Sequence, residues 1–338
     1  MKILQHASFG APEEVLDLLE APDPIPQGGE VLIAIEAAPI HAGDLKNIAG
    51  EKIMFRHAKG GSHFLEVQLP QVPGIEGIGR VVRTGERVNT LRRGDRVFLP
   101  RQCGSWRSHL CAHEDELLVA PEGDAVQLSL MVNAFTAEFA LRDLVPLKAG
   151  DWFLQNAANS NVGRVLISRA AALGIRTVNI VRRDTVVGEL KRLGADAVIL
   201  DGPELAQRVH AATGGADITV ALDAVGGAAT GQLAECLAEG GTVAHVGSMS
   251  GEPCHVPTWL LLYRRVRLIG YYAGHNIRAR ARSESSRILS ELAHSIAVGE
   301  LHTKIAATYP LERYAEAVAH AARSGDARDG KVVFRIEA

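Results

Sequence analysis

The chain has 338 residues, 47% hydrophobic and 22% charged, and its 36 basic against 39 acidic side chains leave a formal net charge of -3. This composition excludes a disordered or fibrous protein and leaves no global positive field to attract a polyanion such as nucleic acid. The length predicts two domains, and Cys103, Cys111, Cys236 and Cys254 are too dispersed for a CxxC zinc knuckle or a disulfide framework.

The opening MKILQHASFGAPEEV lacks the basic segment, apolar run and small-residue cleavage site of a secretory leader, and no later stretch is apolar for long enough to span a bilayer. A cytoplasmic location is expected. The first third carries short β-branched runs broken by Gly and Pro, among them VLIAIEAAPI (31–40), GRVVRTG (79–85) and DRVFLP (95–100), which predict a β-rich domain. From about Leu128 to Gly270 apolar strands alternate with helices. WFLQNAA is followed by a helix over Val162 to Leu173, TVNIVRR by the helix VGELKRLGA, and AVILD and ITVALDAV by a helix around Gln232 to Leu237 and the strand TVAHVGS. Strand and helix repeated in this way predict a parallel, doubly wound sheet. HNIRARARSES then raises the polarity, an amphipathic helix follows over SRILSELAHSIAVGEL, and GKVVFRI reads as a strand returning to the first domain.

The main chemical signal is WFLQNAANSNVGRVL. A buried strand ends at Gln155 or Asn156, a tight loop follows, and a helix opening near Val162 aims its free N–H groups at that loop, which suits a pyrophosphate. The dinucleotide fingerprint asks for several glycines, whereas only Gly163 is present, with Ala157, Ser160 and Asn161 near the other small positions. An ordinary strand-to-helix turn capped by Asn and Ser is the alternative. The next strand ends in Arg182 and Arg183, where an NAD-specific site carries a carboxylate. Guanidinium groups there pair with a 2'-phosphate, so NADPH is expected over NADH; the alternative is a solvated basic strand end.

With these segments in view, the chain resembles the medium-chain dehydrogenases/reductases, and among them the trans-2-enoyl thioester reductases of mitochondrial fatty acid synthesis and their bacterial relatives, with the quinone oxidoreductases close by. GSWRSHL (104–110), LMVNAFTA (130–137), QNAANSNVG (155–163) and LDAVGGAATGQLAECLAEGGTVAHVGSMSGEP (222–253) carry the likeness, supported by GDLKNIAG and GKVVF. The resemblance implies a GroES-like β-rich catalytic domain, residues 1–127 and 275–338, plus a doubly wound Rossmann domain, residues 128–274, that binds NADPH. It implies that Asn133 and Thr136 lie near the nicotinamide and Asn159, Ser160, Asn161, Val162 and Gly163 along the pyrophosphate. Arg182 and Arg183 would hold the adenosine phosphate. Val246, Gly247, Ser248 and Met249 would pass under the nicotinamide ribose, Tyr271, Tyr272 and Ala273 would close over the ring, and Lys331 would reach in from the last strand. The tyrosines read equally as packing residues at a sheet edge.

No catalytic metal is expected. In the zinc-dependent branch a Cys precedes the Asp-containing segment and a His-Glu pair follows. Here the segments read IHAGDLK and PGIEG, so Ile75 stands where the His would be and Glu76 is alone. His41 and Asp44 read as hydrogen-bonding residues. Without zinc, the chemistry open to the chain is hydride addition to a conjugated double bond, as in a 2-enoyl-CoA or acyl-carrier thioester.

The tyrosine that the enoyl reductases place soon after the Asp-containing segment is absent, since the first tyrosine is Tyr263 and Lys52 occupies its register. Lys52 as stabiliser or acid, His57 or His63 in its place, and protonation by water are the open readings, beside Lys52 as a solvated loop residue. The long segment EKIMFRHAKGGSHFLEVQLPQVP (51–73) reads as a binding loop whose Arg56, His57, Lys59 and His63 would meet thioester phosphates, or as a solvated charge run. A quinone or small-enone reductase and an NADPH-binding protein without turnover are the alternative functions. By resemblance VRLIGYY pairs with its twin, so a homodimer is expected.

Overall fold

A computed structural model describes residues 1–51, 68–323 and 329–337. The chain divides into two compact units, Met1–Met131 with Ser290–Ala338, and Val132–Leu289. The boundaries drawn from the sequence, after 127 and after 274, both lie earlier. The second of those junctions falls where the polar stretch HNIRARARSES begins, but that stretch is itself largely helical, as described below.

In chain order the first unit begins with β1 (Lys2–His6), α1 (Pro12–Val15) and β2 (Leu16–Glu20), the two strands forming an antiparallel ribbon. It continues through β3 (Glu30–Pro39), α2 (Ala42–Ile48), β4 (Ile78–Thr84), β5 (Arg96–Phe98), β6 (His109–His113), β7 (Leu118–Val119) and α3 (Ala125–Leu128). Strand β3 is the spine: it pairs antiparallel with β4 and with β6, and is buried over most of its length. That central position explains why VLIAIEAAPI is apolar almost throughout rather than alternating.

The helix α4 (Met131–Asp143) leads into the second unit, which runs β8 (Trp152–Gln155), α5 (Asn161–Ala172), β9 (Arg176–Val181), α6 (Val187–Arg192), β10 (Ala197–Leu200), α7 (Leu205–Thr213), β11 (Ile218–Asp223), α8 (Ala228–Glu235), β12 (Thr242–His245), α9 (Thr258–Leu262), β13 (Arg267–Gly270) and α10 (Ala273–Ala279). Its six strands are ordered β10-β9-β8-β11-β12-β13 and every pairing is parallel. All strand C-termini therefore share one edge. The order reverses between β8 and β11, the switch point at which open α/β sheets bind ligands. Buried side chains cover both faces: Leu154, Val178, Ile180 and Val243 pack on one side, and Ala158, Ile167, Val181 and Leu190 on the other.

The basic stretch after Gly270 forms α10, followed by α11 (Arg282–Ala297); β14 (Ile305–Tyr309), α12 (Tyr314–Ala322) and β15 (Lys331–Arg335) complete the first unit. Strand β15 pairs antiparallel with β3, Val333 opposite Pro39, which makes the last strand part of the first sheet. Trp106 and Phe334 meet edge to face at 5.2 Å in that unit's core.

Candidate functional site

The loop after β8 is built by a chain of hydrogen bonds that replaces the missing glycines. Gln155 donates through Nε2 to Asn179 Oδ1 at 2.7 Å and to Gly163 O at 3.1 Å, tying the strand end to the neighbouring strand and to the helix start. Ala157 adopts a φ of 46°, a left-handed conformation that normally selects glycine. Ser160 caps α5, its hydroxyl accepting from Gly163 N at 3.2 Å. At Gly163 a Cβ would lie 2.5 Å from Ala158 O, so only glycine permits this close approach of the helix to the loop. Of the fingerprint glycines, the packing glycine is thus the one retained. Asn161 Oδ1 is buried with no hydrogen-bond partner among the described residues, and Asn159 and Val162 flank it half-buried. As an acceptor, this oxygen would be satisfied by a ligand hydroxyl, while the free backbone N–H groups of the same helix start suit a phosphate.

Arg182 and Arg183 follow β9 directly, Arg182 exposed and Arg183 half-buried at the same sheet edge. On α4, Asn133 Nδ2 is a second buried polar atom with no partner among the described residues. Thr136 turns its hydroxyl back onto Val132 O at 2.6 Å, and its carbonyl accepts from Tyr271 OH at 2.9 Å. The Tyr271 phenol is therefore engaged, and burial pushes its pKa well above the usual range. Ala273 is buried, whereas Tyr272 is partly exposed and packs edge to face on His275 at 5.2 Å.

Sequence reasoning missed the hub of the site, Asp223, the last residue of β11. Its side chain is fully buried and accepts five hydrogen bonds: Asn156 Nδ2 at 2.6 Å, Val225 N at 3.0 Å and Gly226 N at 3.1 Å on Oδ1, and Thr230 Oγ1 at 2.6 Å and His245 Nδ1 at 3.0 Å on Oδ2. Burial works against its charge, but the donors from Thr230, Asn156, Gly226 and Val225 outweigh that and hold its carboxyl below the ordinary range. Asn156 also accepts from Ala224 N at 2.8 Å, so the Asn156–Asp223 pair clamps the switch point. An acid directly after the apolar run ITVAL was the available signal. The loop over Val246, Gly247, Ser248 and Met249 hangs on the same strand, with Val246 N donating to Asp223 O at 2.8 Å and Met249 N to Ala224 O at 3.1 Å.

Lys331 lies in the first unit. There Lys331 Nζ donates to His41 Nδ1 at 2.9 Å, His41 Nε2 meets Glu76 Oε1 at 2.8 Å, and Asp44 accepts from the amides of His41 and Gly74 at 2.9 and 3.2 Å. Burial, with the nearby Lys331 charge, lowers the His41 pKa to about 3, and burial raises the Asp44 carboxyl to about 6. This cluster occupies the segments that hold the catalytic zinc in the zinc-dependent branch, and the donor set does not fit the ion. Both ring nitrogens of His41 are engaged, an ammonium stands beside them, and Ile75 offers no donor. Lys52, with Arg56, His57, Lys59 and His63, lies outside the described residues.

Taken together, a doubly wound parallel sheet with its loop, caps and arginines at one edge and a β-rich unit with its own polar cluster define a two-domain dinucleotide-dependent dehydrogenase or reductase. Residues 27–135 match the alcohol dehydrogenase GroES-like domain and residues 161–292 the zinc-binding dehydrogenase family. The mitochondrial enoyl-acyl-carrier-protein reductase of Xenopus tropicalis is 32% identical over 329 residues, covering 93% of this chain and 90% of the relative. The human protein of the same name is 31% identical over 329 residues, covering 94% and 84%. Among solved structures, a Bacillus thuringiensis protein described as an NADPH:quinone reductase superposes with a TM-score of 0.87 at 25% identity, covering 99% and 98% of the two chains. A mycobacterial protein solved with NADPH has a TM-score of 0.81 at 26% identity, covering 99% and 100%. The enoyl thioester reductase of Candida tropicalis, at 24% identity and a TM-score of 0.83 over 99% of both chains, shares the fold. The chain belongs to the medium-chain dehydrogenase/reductase superfamily, within the family of the enoyl-acyl-carrier-protein reductases. The cytoplasmic location expected from the sequence is corrected by these relatives, which are mitochondrial proteins. The expectation rested on leader and hydropathy patterns, and neither separates the cytoplasm from the mitochondrion.

Proposed function

We propose that the chain is an NADPH-dependent, zinc-independent reductase that adds hydride to the β carbon of an α,β-unsaturated thioester. The observation that carries the reading is the switch-point loop, where the free N–H groups of a Ser160-capped helix and the Arg182–Arg183 pair meet one sheet edge. NADPH supplies the hydride when bound. The free backbone N–H groups of the helix start, those of Asn161 and Val162 among them, would hold the pyrophosphate, Arg182 and Arg183 the 2'-phosphate, and Asn133 the nicotinamide side, where its free amide suits a carbonyl. The Val246–Met249 loop and Ala273 would line the cofactor, with Tyr271 acting as the support that fixes α4 through Thr136. Lys331, which the family resemblance assigns to the cofactor, is held against His41.

With Tyr271 engaged, the proton for the product comes from elsewhere, and Lys52 is the proposed stabiliser or acid. A quinone or small-enone substrate is the second reading, favoured by the likeness to the Bacillus thuringiensis and mycobacterial structures and by the missing family tyrosine. A homodimer is proposed through β13, which among the described residues pairs only with β12 and exposes Leu268 and Ile269 beside exposed Leu262 and Tyr263. The deciding experiment follows NADPH oxidation with crotonyl-CoA, quinones and simple enones. Turnover of crotonyl-CoA with the highest kcat/KM supports the thioester reading, preference for quinones replaces it by the second, and NADPH binding without turnover on any substrate overturns both.

A further inference from the structure

We propose that Asp223, His245 and Cys254 form a binding site for a thiophilic divalent cation of the zinc class, distinct from the metal positions of the superfamily. One donor atom from each residue, a carboxylate oxygen, an imidazole nitrogen and the thiol sulfur, lies within 4.8 Å of the other two. A tetrahedral zinc ion with bonds of about 2.0–2.3 Å holds its donors roughly 3.5 Å apart, so movements of about an ångström close the site. Carboxylate, imidazole and thiolate are the donor classes this ion selects, and three protein donors leave the fourth position to solvent.

Two of the donors sit on rigid elements. Asp223 and His245 end the adjacent strands β11 and β12 and face each other in register. Cys254 is delivered by the loop after β12, which is pinned to the segment after β11: Ser250 N donates to Val225 O at 2.9 Å and His255 N to Gly227 O at 3.0 Å. Gly226, at φ 79°, makes room, since a Cβ there would lie 3.2 Å from Glu252 O and 3.4 Å from His245 Cε1. The carboxylate is already oriented through Oδ1 by Asn156, Val225 N and Gly226 N, and such outer hydrogen bonds are what fix metal-binding carboxylates. His245 and Cys254 are partly exposed, which gives the ion a path from solvent.

Binding exchanges one bridge for another. The proton now shared between His245 Nδ1 and Asp223 Oδ2 moves to Nε2, the thiol proton of Cys254 leaves to solvent, and the cation joins the three donors without any change of oxidation state. Because Asp223 also anchors Asn156, an occupied site would stiffen the loop after β8.

The test uses the full chain stripped of metal by chelation. Zn2+ is titrated by calorimetry, and Co2+ is added as a spectroscopic probe of thiolate ligation. One equivalent of Zn2+ is expected, with a thiolate-to-cobalt charge-transfer band and a raised melting temperature. Cys254→Ser should abolish the band, and Cys254→Ser and His245→Gln should each weaken Zn2+ binding by roughly 10- to 100-fold, the range for damaged metal shells. Far-UV circular dichroism and the metal-free melting temperature identify a variant that fails to fold, in which case the other variant decides. Absence of stoichiometric binding to the unmodified chain, or a band and affinity that survive both substitutions, overturns the proposal.

Discussion

Lys331 Nζ donates to His41 Nδ1 at 2.9 Å, and this contact settles the state of the imidazole. A ring nitrogen that accepts from an ammonium carries no proton, so His41 is neutral and its Nε2–H points at Glu76. The three side chains form a continuous polar chain in the first unit, where the zinc-dependent branch keeps its ion.

Acid sensitivity follows. The His41 pKa is lowered from 6.5 to about 3, so its contribution to stability is fully present above pH 6.5 and is lost as pH falls towards 3. Asp44, raised from 3.8 to about 6, acts in the opposite sense, its contribution being present below pH 3.8 and lost as pH rises through 6. Replacing His41 by Asn removes the first effect and, by removing the imidazole charge that lowers the Asp44 carboxyl, strengthens the second, so both changes act in one direction. Between pH 6.5 and 4 the melting temperature of His41→Asn should fall less steeply than that of the parent chain; equal slopes would contradict the assignment.

Gly163→Ala should cost about 1–3 kcal/mol, the usual penalty for overpacking, because the new Cβ meets backbone atoms of Ala158 rather than a side chain that can turn away. Urea unfolding measures the loss, and fluorescence titration should show weakened NADPH binding beside it.

Asp223→Asn places an amide donor among five donors. The cost is expected to be about 3 kcal/mol, the upper range for hydrogen bonds to a buried charge. A fall in stability below 1 kcal/mol in the same denaturation experiment would show that the hub is dispensable.

Arg182→Ala and Arg183→Ala test cofactor choice. Loss of a guanidinium pair with a 2'-phosphate should reduce kcat/KM for NADPH roughly 10- to 100-fold and leave that for NADH nearly unchanged. A parallel loss with both cofactors would assign the arginines to folding rather than to the phosphate.

Leu262→Asp or Ile269→Asp puts a charge on the exposed apolar edge around β13. Light scattering is expected to report the mass of two chains for the parent and of one chain for either variant.

Much of the second unit was legible because its determinants are local. Apolar runs of four to six residues separated by helical stretches specify parallel strands, and Ser160 and Gly163 lie within five residues of what they cap or pack against. Element ends were less legible: the helix read from Val162 begins at Asn161, the one read around Gln232–Leu237 runs Ala228–Glu235, and α10 lies in a stretch read only as polar. Terminal turns depend on caps and on neighbouring packing more than on periodicity.

By itself the sequence determined the alternation of strand and helix, the glycine-poor loop after β8 and the absence of the superfamily's histidine at position 75, since each is a matter of residue type and short spacing. Only the tertiary structure decided which polar groups meet. Asn156 finds Asp223 across 67 residues, Lys331 finds His41 across 290, and Cys254 joins Asp223 and His245 because two parallel strands end side by side and a loop folds back over them. Such pairings arise from strand order and register, which bring together groups that no periodicity along the chain relates.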